Sequence, residues 1–163
     1  DVKDAVVRLG SSLVLQLIIS KQVRGMMKQP LAQYGYGENE LWYHSVASAV
    51  AAQCLNKYLT VKIPGIAFTA ALLHDIGKLS ISDKTLHSKE KLTPEEWEVI
   101  KQHPKRGTEM IEPLFDSQRI IPIILHHHER YDGKGYPYGL KELGHFLNKE
   151  FLLPNLSYPL YKD

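Results

Sequence analysis

Two apolar segments of the chain end in the same way. Residues Ile66 to Leu73 are hydrophobic on nearly every side, the pattern of a buried helix. They run directly into His74-Asp75-Ile76-Gly77-Lys78. Residues 117–130 repeat the plan, with an apolar helix that ends in His126-His127-His128-Glu129-Arg130. Neighbouring residues on a helix point roughly 100° apart. Three consecutive histidines therefore cannot face one point, so two can share a centre while the third packs elsewhere.

The other segments also read as helices and turns. Residues 4–27 carry apolar side chains at Ala5, Val6, Leu9, Leu13, Leu15, Leu17, Ile18, Val23, Met26 and Met27. Gly10 and Gly25 weaken that helical pattern, which predicts two helices or one kinked helix, with Met26-Met27 as core filler. Pro30, Gly35 and Gly37 mark a loop over 28–38. A helix is expected from about Asn39 to Leu59, with Leu41, Val46, Ala47, Val50, Ala51, Cys54 and Leu55 facing inward. Pro64-Gly65 opens the central apolar helix. Residues 80–93 read as an irregular connection with His87 at the surface. Thr93-Pro94-Glu95-Glu96 is a strong helix start: a capping threonine, proline in the first turn and acids at the positive end of the dipole. That helix is expected to reach about Gln102, with His103-Pro104 starting another. Tyr131-Asp132-Gly133-Lys134-Gly135-Tyr136-Pro137 forms a glycine-rich loop. The pattern predicts an all-α domain of about six or seven helices.

Composition adds limits. A chain of 163 residues with 44% hydrophobic content fits one domain with a filled core. Its formal charge of +2 is too small to argue for nucleic acid or an acidic membrane as partner. The single cysteine excludes an intrachain disulfide and fits a reducing, cytoplasmic setting, with Cys54 expected as a small buried hydrophobe. There is no signal-peptide pattern and no apolar run near the ~20 residues that span a bilayer. The chain starts at Asp1 and not Met, as expected of a fragment or a processed chain.

The candidate chemistry lies at the helix ends. A neutral imidazole and a carboxylate both ligate divalent transition metals. His74 and Asp75 can hold a cluster from two sides, or form a plain hydrogen-bonded pair. Gly77 permits a sharp departure of the backbone, and Lys78 sets a positive charge beside the pair. Glu40 and His44 are four apart and share a helix face. His103, at a helix break, can swing toward a neighbouring site. Many histidines with a few carboxylates and no thiolates suit iron, manganese or zinc better than calcium.

Taken together, His44, His74-Asp75, His103, His127-His128 and the run HHERYDGKGYP resemble the HD superfamily of metal-dependent phosphohydrolases, and within it the HD-GYP branch. The resemblance covers about residues 38–140. The first 60 residues, notably Val7-Arg8-Leu9-Gly10 and Leu41-Trp42-Tyr43-His44-Ser45, are similar to HDOD domains, a signalling or scaffolding branch. On this basis 1–37 is a helical lead-in, 38–140 the core carrying the motifs and 141–163 a divergent tail. The resemblance implies an HD-type helical bundle with metal ligands Glu40, His44, His74, Asp75, His103, His127 and His128. Asp75 would bridge the ions, and Asp75 and Lys78 would be the catalytic pair. Lys78 and Tyr136 would contact substrate, and His126 would be structural. The cofactor implied is two or three divalent transition-metal ions, iron or manganese first. The implied substrate is a cyclic dinucleotide, cyclic dimeric GMP, hydrolysed by a phosphodiesterase. The alternative is a catalytically inactive regulatory module that binds a nucleotide or a partner protein. A homodimer or a further signalling domain is the expected protein partner.

The tail departs from the branch. KELGHFLNKEFLLPNLSYPLYKD replaces a long helix bearing an Arg-Ile pair and a final Asp, and Pro154 and Pro159 rule out one continuous helix there. Nothing in the spacing of Glu142, Glu150 or Asp163 recommends one as a substitute ligand, and His145 reads as a loop residue.

Overall fold

A computed structural model describes residues 2–59, 65–81, 92–114 and 117–141. Among the described residues seven α-helices follow one another: α1 (Val2–Leu9), α2 (Ser11–Met26), α3 (Glu40–Tyr58), α4 (Ala67–Leu73), α5 (Pro94–Ile100), α6 (His103–Ile111) and α7 (Ser117–His126). Short 3-10 turns cover Ala32–Tyr34 and Ile76–Ser80. Among the described residues there is no strand, only isolated bridges pairing Leu31 with Tyr36 and Asp132 with Lys141. The all-α expectation holds.

The helix starts and stops have local causes. Gly10, at φ 81°, separates α1 from α2, so the first segment is two helices. Thr93 caps α5 reciprocally: its side chain accepts from Glu96 N, while Glu96 Oε2 accepts from Thr93 N. That helix stops at Ile100, two residues short of the expected Gln102, and α6 begins at His103 with Pro104 in its first turn.

The central helix α4 is buried as its all-round apolar pattern requires. Thr69, Ala70, Leu72 and Leu73 are shielded from solvent, and α4 packs between α3 and α7. Leu73, Ile76, Leu41, Ile111, Ile120 and Ile124 belong to one core that α2 joins through Val23 and Met27.

Three expectations need correction. The inward face of α3 is Leu41, Ser45 and Ala49, spaced by four; Val50 and Leu55 are exposed at 47% and 57%, and Ala47, Ala51 and Cys54 are also exposed. Small apolar residues surround this helix on every side, so periodicity could not choose a face. Burying Ser45 and Ala49 toward α4 lets the two backbones approach. Met27 is core but Met26 is 47% exposed, because adjacent side chains at the end of α2 point roughly 100° apart and only Met27 meets the core. Most apolar side chains of α1 and α2, including Leu9, Leu13, Leu15, Leu17 and Ile18, are likewise exposed.

Gly77 is needed for proximity and not for a left-handed turn. Among the described residues it is not one of the glycines at positive φ. A Cβ there would run into the carbonyl oxygen of His103 and the amide of Gly107. The 3-10 turn after α4 therefore lies directly on α6, and this contact sets His103 against Asp75. Replacing Gly77 with Ala should destabilise the protein by about 3 kcal/mol or more, the upper range for an overpacked site. Gly25→Ala, in an open position within α2, should stabilise it by about 0.4–1 kcal/mol. Urea unfolding of the two variants gives both values.

Candidate metal centre

Asp75 lies two residues past α4 and leads into the 3-10 turn at φ −100°, ψ 6°, in the sparsely populated bridge region of backbone space. Its side chain is 2% exposed. Four imidazoles and one ammonium surround its oxygens. His103 Nε2 lies 3.2 Å and His127 Nε2 3.6 Å from Oδ1. His74 Nε2 lies 3.3 Å, His44 Nε2 3.5 Å and Lys78 Nζ 2.6 Å from Oδ2.

The helix ends fix the tautomers. Nδ1 of His74 donates to Ala71 O at 2.7 Å, Nδ1 of His103 to Ile100 O at 2.8 Å and Nδ1 of His127 to Ile124 O at 2.6 Å. A carbonyl oxygen can only accept, so the proton of each neutral ring sits on Nδ1 and the lone pair on Nε2. The Nε2 atoms then point inward. His44 and His74 face each other at 3.2 Å, as do His103 and His127. Between His103 and His127 two such lone pairs repel unless a cation lies between them or one of them carries a proton. Among the described residues, Asp75 Oδ1 is buried without a properly formed hydrogen bond despite two imidazoles beside it. Inward lone pairs, backbone-anchored Nδ1 atoms and an orphaned carboxylate oxygen are what a divalent metal requires. The donor set fits a metal ion.

The donors form two groups, each with ligand atoms within 4.8 Å of one another: Asp75, His103, His127 and His128, and His44, His74 and Asp75. Asp75 belongs to both, as a bridging carboxylate must. Glu40 belongs to neither; its Oε2 accepts from Gly37 N at 2.6 Å. His126 is buried on the other side of its helix end, with its ring 5.8 Å from that of Tyr138. His87, Glu142, His145, Glu150 and Asp163 lie outside the described residues.

The electrostatics favour an ionised Asp75. Burial disfavours the Asp75 carboxylate, but the imidazoles of His103, His127 and His74 outweigh it and hold the group well below the usual carboxylate range. Burial lowers His44 and His127 from the ordinary imidazole value. His128 is pushed down to about 3 by burial, with His127 and His103 adding to the shift. Only His74 moves up: burial opposes its proton, yet the hydrogen bond with Asp75 prevails. A proton and a metal ion compete for that same nitrogen.

The glycine-rich loop after α7 closes one side of the centre. Glu129 is its anchor, with its carboxylate accepting from Tyr138 N at 2.7 Å and Leu140 N at 2.9 Å. Gly135 packs so tightly on the His128–Arg130 backbone that a Cβ would collide with it. This brings Tyr136 face to face with His128, rings stacked at 4.5 Å and 20°. Burial, then Asp75, raises the Tyr136 phenol to about 12. The Tyr136–Pro137 peptide bond is cis. A cavity of about 560 Å³ opens beside the centre, lined by Trp97, Lys101, His128, Arg130, Lys134 and Tyr136 among others. Sequence reading did not single out Trp97 or Lys101. Trp97 set among the glutamates of α5 was the available signal.

The low pKa of His128 sets a pH dependence. Unfolded histidine takes a proton near pH 6.5, whereas the folded ring refuses it down to about 3. The unfolded state thus binds more protons below pH 6.5, and stability falls as pH drops through that window. Urea unfolding of metal-free protein across pH 7 to 4 should show the decline, and His128→Asn should make it shallower. An unchanged slope in the variant would show that His128 is protonated normally.

Comparison with known proteins places this geometry in a family. The HD domain family matches residues 16–143. A cyclic di-GMP phosphodiesterase of Pseudomonas aeruginosa is 38% identical over 107 residues, covering 62% of this chain and 25% of the relative. A cyclic di-GMP phosphodiesterase of Thermotoga maritima is 49% identical over 77 residues, 45% of this chain and 20% of the relative. A 3'3'-cGAMP-specific phosphodiesterase of Vibrio cholerae is 34% identical over 100 residues, 60% of this chain and 23% of the relative. The chain thus spans about a quarter or less of the length of these relatives. Among the described residues no helix is long and apolar enough to cross a membrane. With the family match covering most of its length and the His-Asp pair at the centre of its site, the chain belongs to the HD domain family.

Proposed function

We propose that this chain is a metal-dependent phosphodiesterase domain whose substrate is a cyclic dinucleotide, cyclic dimeric GMP first. The observation that carries the reading is the buried Asp75, shared by two imidazole groups and paired with Lys78. We assign metal ligation to His44, His74, Asp75, His103, His127 and His128, with two or three ions and iron or manganese favoured by the nitrogen and oxygen donors. Glu40 would join them after giving up its bond to Gly37. Such ions, when bound, supply an activated water and a clamp on the phosphodiester oxygens.

The chain's own residues supply the rest. Lys78 places an ammonium beside Asp75, where negative charge grows on a phosphoryl group. Tyr136 offers a hydroxyl kept protonated by burial, able to donate to a substrate oxygen. The cavity next to the centre combines aromatic surface from Trp97 and Tyr136 with the cations Lys101, Arg130 and Lys134, a pairing that suits a base and a phosphate. Relatives named for cyclic di-GMP and for 3'3'-cGAMP support the cyclic dinucleotide class without choosing within it.

The test joins metal content to turnover. Protein purified under low oxygen with iron or manganese supplied should hold two or more ions per chain and open cyclic dimeric GMP to its linear form. Asp75→Ala should lose bound metal and lower turnover by at least about a hundredfold. Bound metal with hydrolysis of mononucleotides alone would move the chain to a broader phosphohydrolase class. No bound metal would identify a regulatory module.

A further inference from the structure

The loop between α2 and α3 was expected only to connect them, yet it reaches the centre. It is a tight hairpin-like turn. Leu31 N donates to Tyr36 O at 2.9 Å and Tyr36 N to Leu31 O at 3.1 Å, while Gly35 turns the chain at φ 69°. Leu31 is buried in the main core, so the turn has a fixed base. Its two aromatic side chains converge on one atom: Lys78 Nζ lies 5.3 Å from the Tyr34 ring centroid and 5.2 Å from that of Tyr36. Both distances fall within the ~6 Å range of a cation–π contact. The Tyr36 ring also stands 6.3 Å from that of His44. The Tyr34 hydroxyl is buried and has no hydrogen-bond partner among the described residues, so the ring is what Tyr34 contributes to this corner.

We infer that Tyr34 and Tyr36 are positioning residues that hold the Lys78 ammonium against the metal centre by two ring faces. Lysine has four rotatable bonds and about 2 kcal/mol of rotamer entropy, so Asp75 at its tip does not by itself hold the stem. Ring faces attract the charge without accepting along a fixed direction. Among the described residues the ammonium makes one hydrogen bond, to Asp75 Oδ2, and an ammonium has three donors. The rings therefore keep Lys78 in place and leave donors for a substrate oxygen. A carboxylate in their place would hold the lysine equally well but would take up those donors and repel a phosphate.

The kinetic side of this inference rests on the phosphodiesterase reading; the contact itself does not. The test therefore has two readouts. Proton–carbon spectra of the protein with 13C-lysine, recorded with and without zinc, should place the Lys78 ε-methylene upfield of exposed lysines. The peak is assigned by its loss in Lys78→Met. Tyr36→Leu and Tyr34→Leu should move it toward the exposed position, and Tyr36→Phe should not. Should a leucine variant fail to fold, pentafluorophenylalanine at the same position keeps the ring's shape and removes the attraction. A Lys78 signal at the exposed-lysine position in the unaltered protein, or one indifferent to these changes, overturns the inference whatever the activity. In turnover of cyclic dimeric GMP, Tyr36→Leu should lower kcat roughly three- to thirtyfold with little change in KM. Tyr36→Phe should restore most of that loss, and in a Lys78→Met background Tyr36→Leu should add nothing. A full further loss in that background overturns the positioning role. Absence of all turnover would count against the proposed function and leave the spectra to decide the contact.

Discussion

The Asp75 carboxylate is removed from water and ringed by nitrogen atoms, and the surrounding elements are placed to make that tolerable. A buried unpaired carboxylate is costly. Here the opposing charge comes from Lys78, and the remaining contacts come from imidazoles on α3, α4, α6 and the end of α7. None of these elements reaches Asp75 by accident of packing. The α6 contribution depends on the Gly77–Gly107 approach, and that of His74 on a helix buried well enough to fix the residue that follows it.

Three of these histidines use one local device. His74, His103 and His127 each close on the carbonyl three residues earlier through Nδ1, at or near a helix end where such carbonyls lack helical partners. The spare backbone acceptor thereby fixes the ring and aims Nε2 into the centre. One arrangement satisfies the helix terminus and prepares the ligand. It also explains why an apolar helix followed by histidines occurs twice in the chain, since the apolar part supplies the rigidity that a ligand needs.

Much of this was legible before any coordinates. The helices that run into His74 and His127 have unambiguous apolar patterns, and Thr93, Pro94 and the acids after them mark a helix start that the structure forms. The face of α3 was not legible, because small side chains on all sides leave its orientation to packing with α4. Cys54 followed that face to the outside. Gly77 was recognised as special for the wrong reason: a close approach between segments 30 residues apart leaves no local trace. Tyr34 and Tyr36 were missed because a loop is read for its breakers, and only the fold shows what its side chains meet. The Tyr-Gly-Tyr spacing inside a polar loop was the one signal present.

The electrostatics of the centre explain why its neighbours are aromatic and neutral. On the proposed reading, divalent ions would sit among neutral imidazoles, with Asp75 the one carboxylate in the two donor groups and Glu40 a second that would join them. An occupied centre would then hold excess positive charge, which is what an anionic phosphodiester needs. Acids placed nearby to steady Lys78 would cancel that excess. Glu129 is engaged with the amides of Tyr138 and Leu140 and Asp132 with Arg130, so these two acids are occupied at structural tasks. Beyond its bond to Asp75, Lys78 is left to the faces of Tyr34 and Tyr36, which steady a cation without adding a negative charge. The same logic extends to the adjoining cavity, where Trp97 and Tyr136 provide surface for a base and Lys101, Arg130 and Lys134 provide charge for a phosphate. The arrangement keeps negative charge for the substrate to bring.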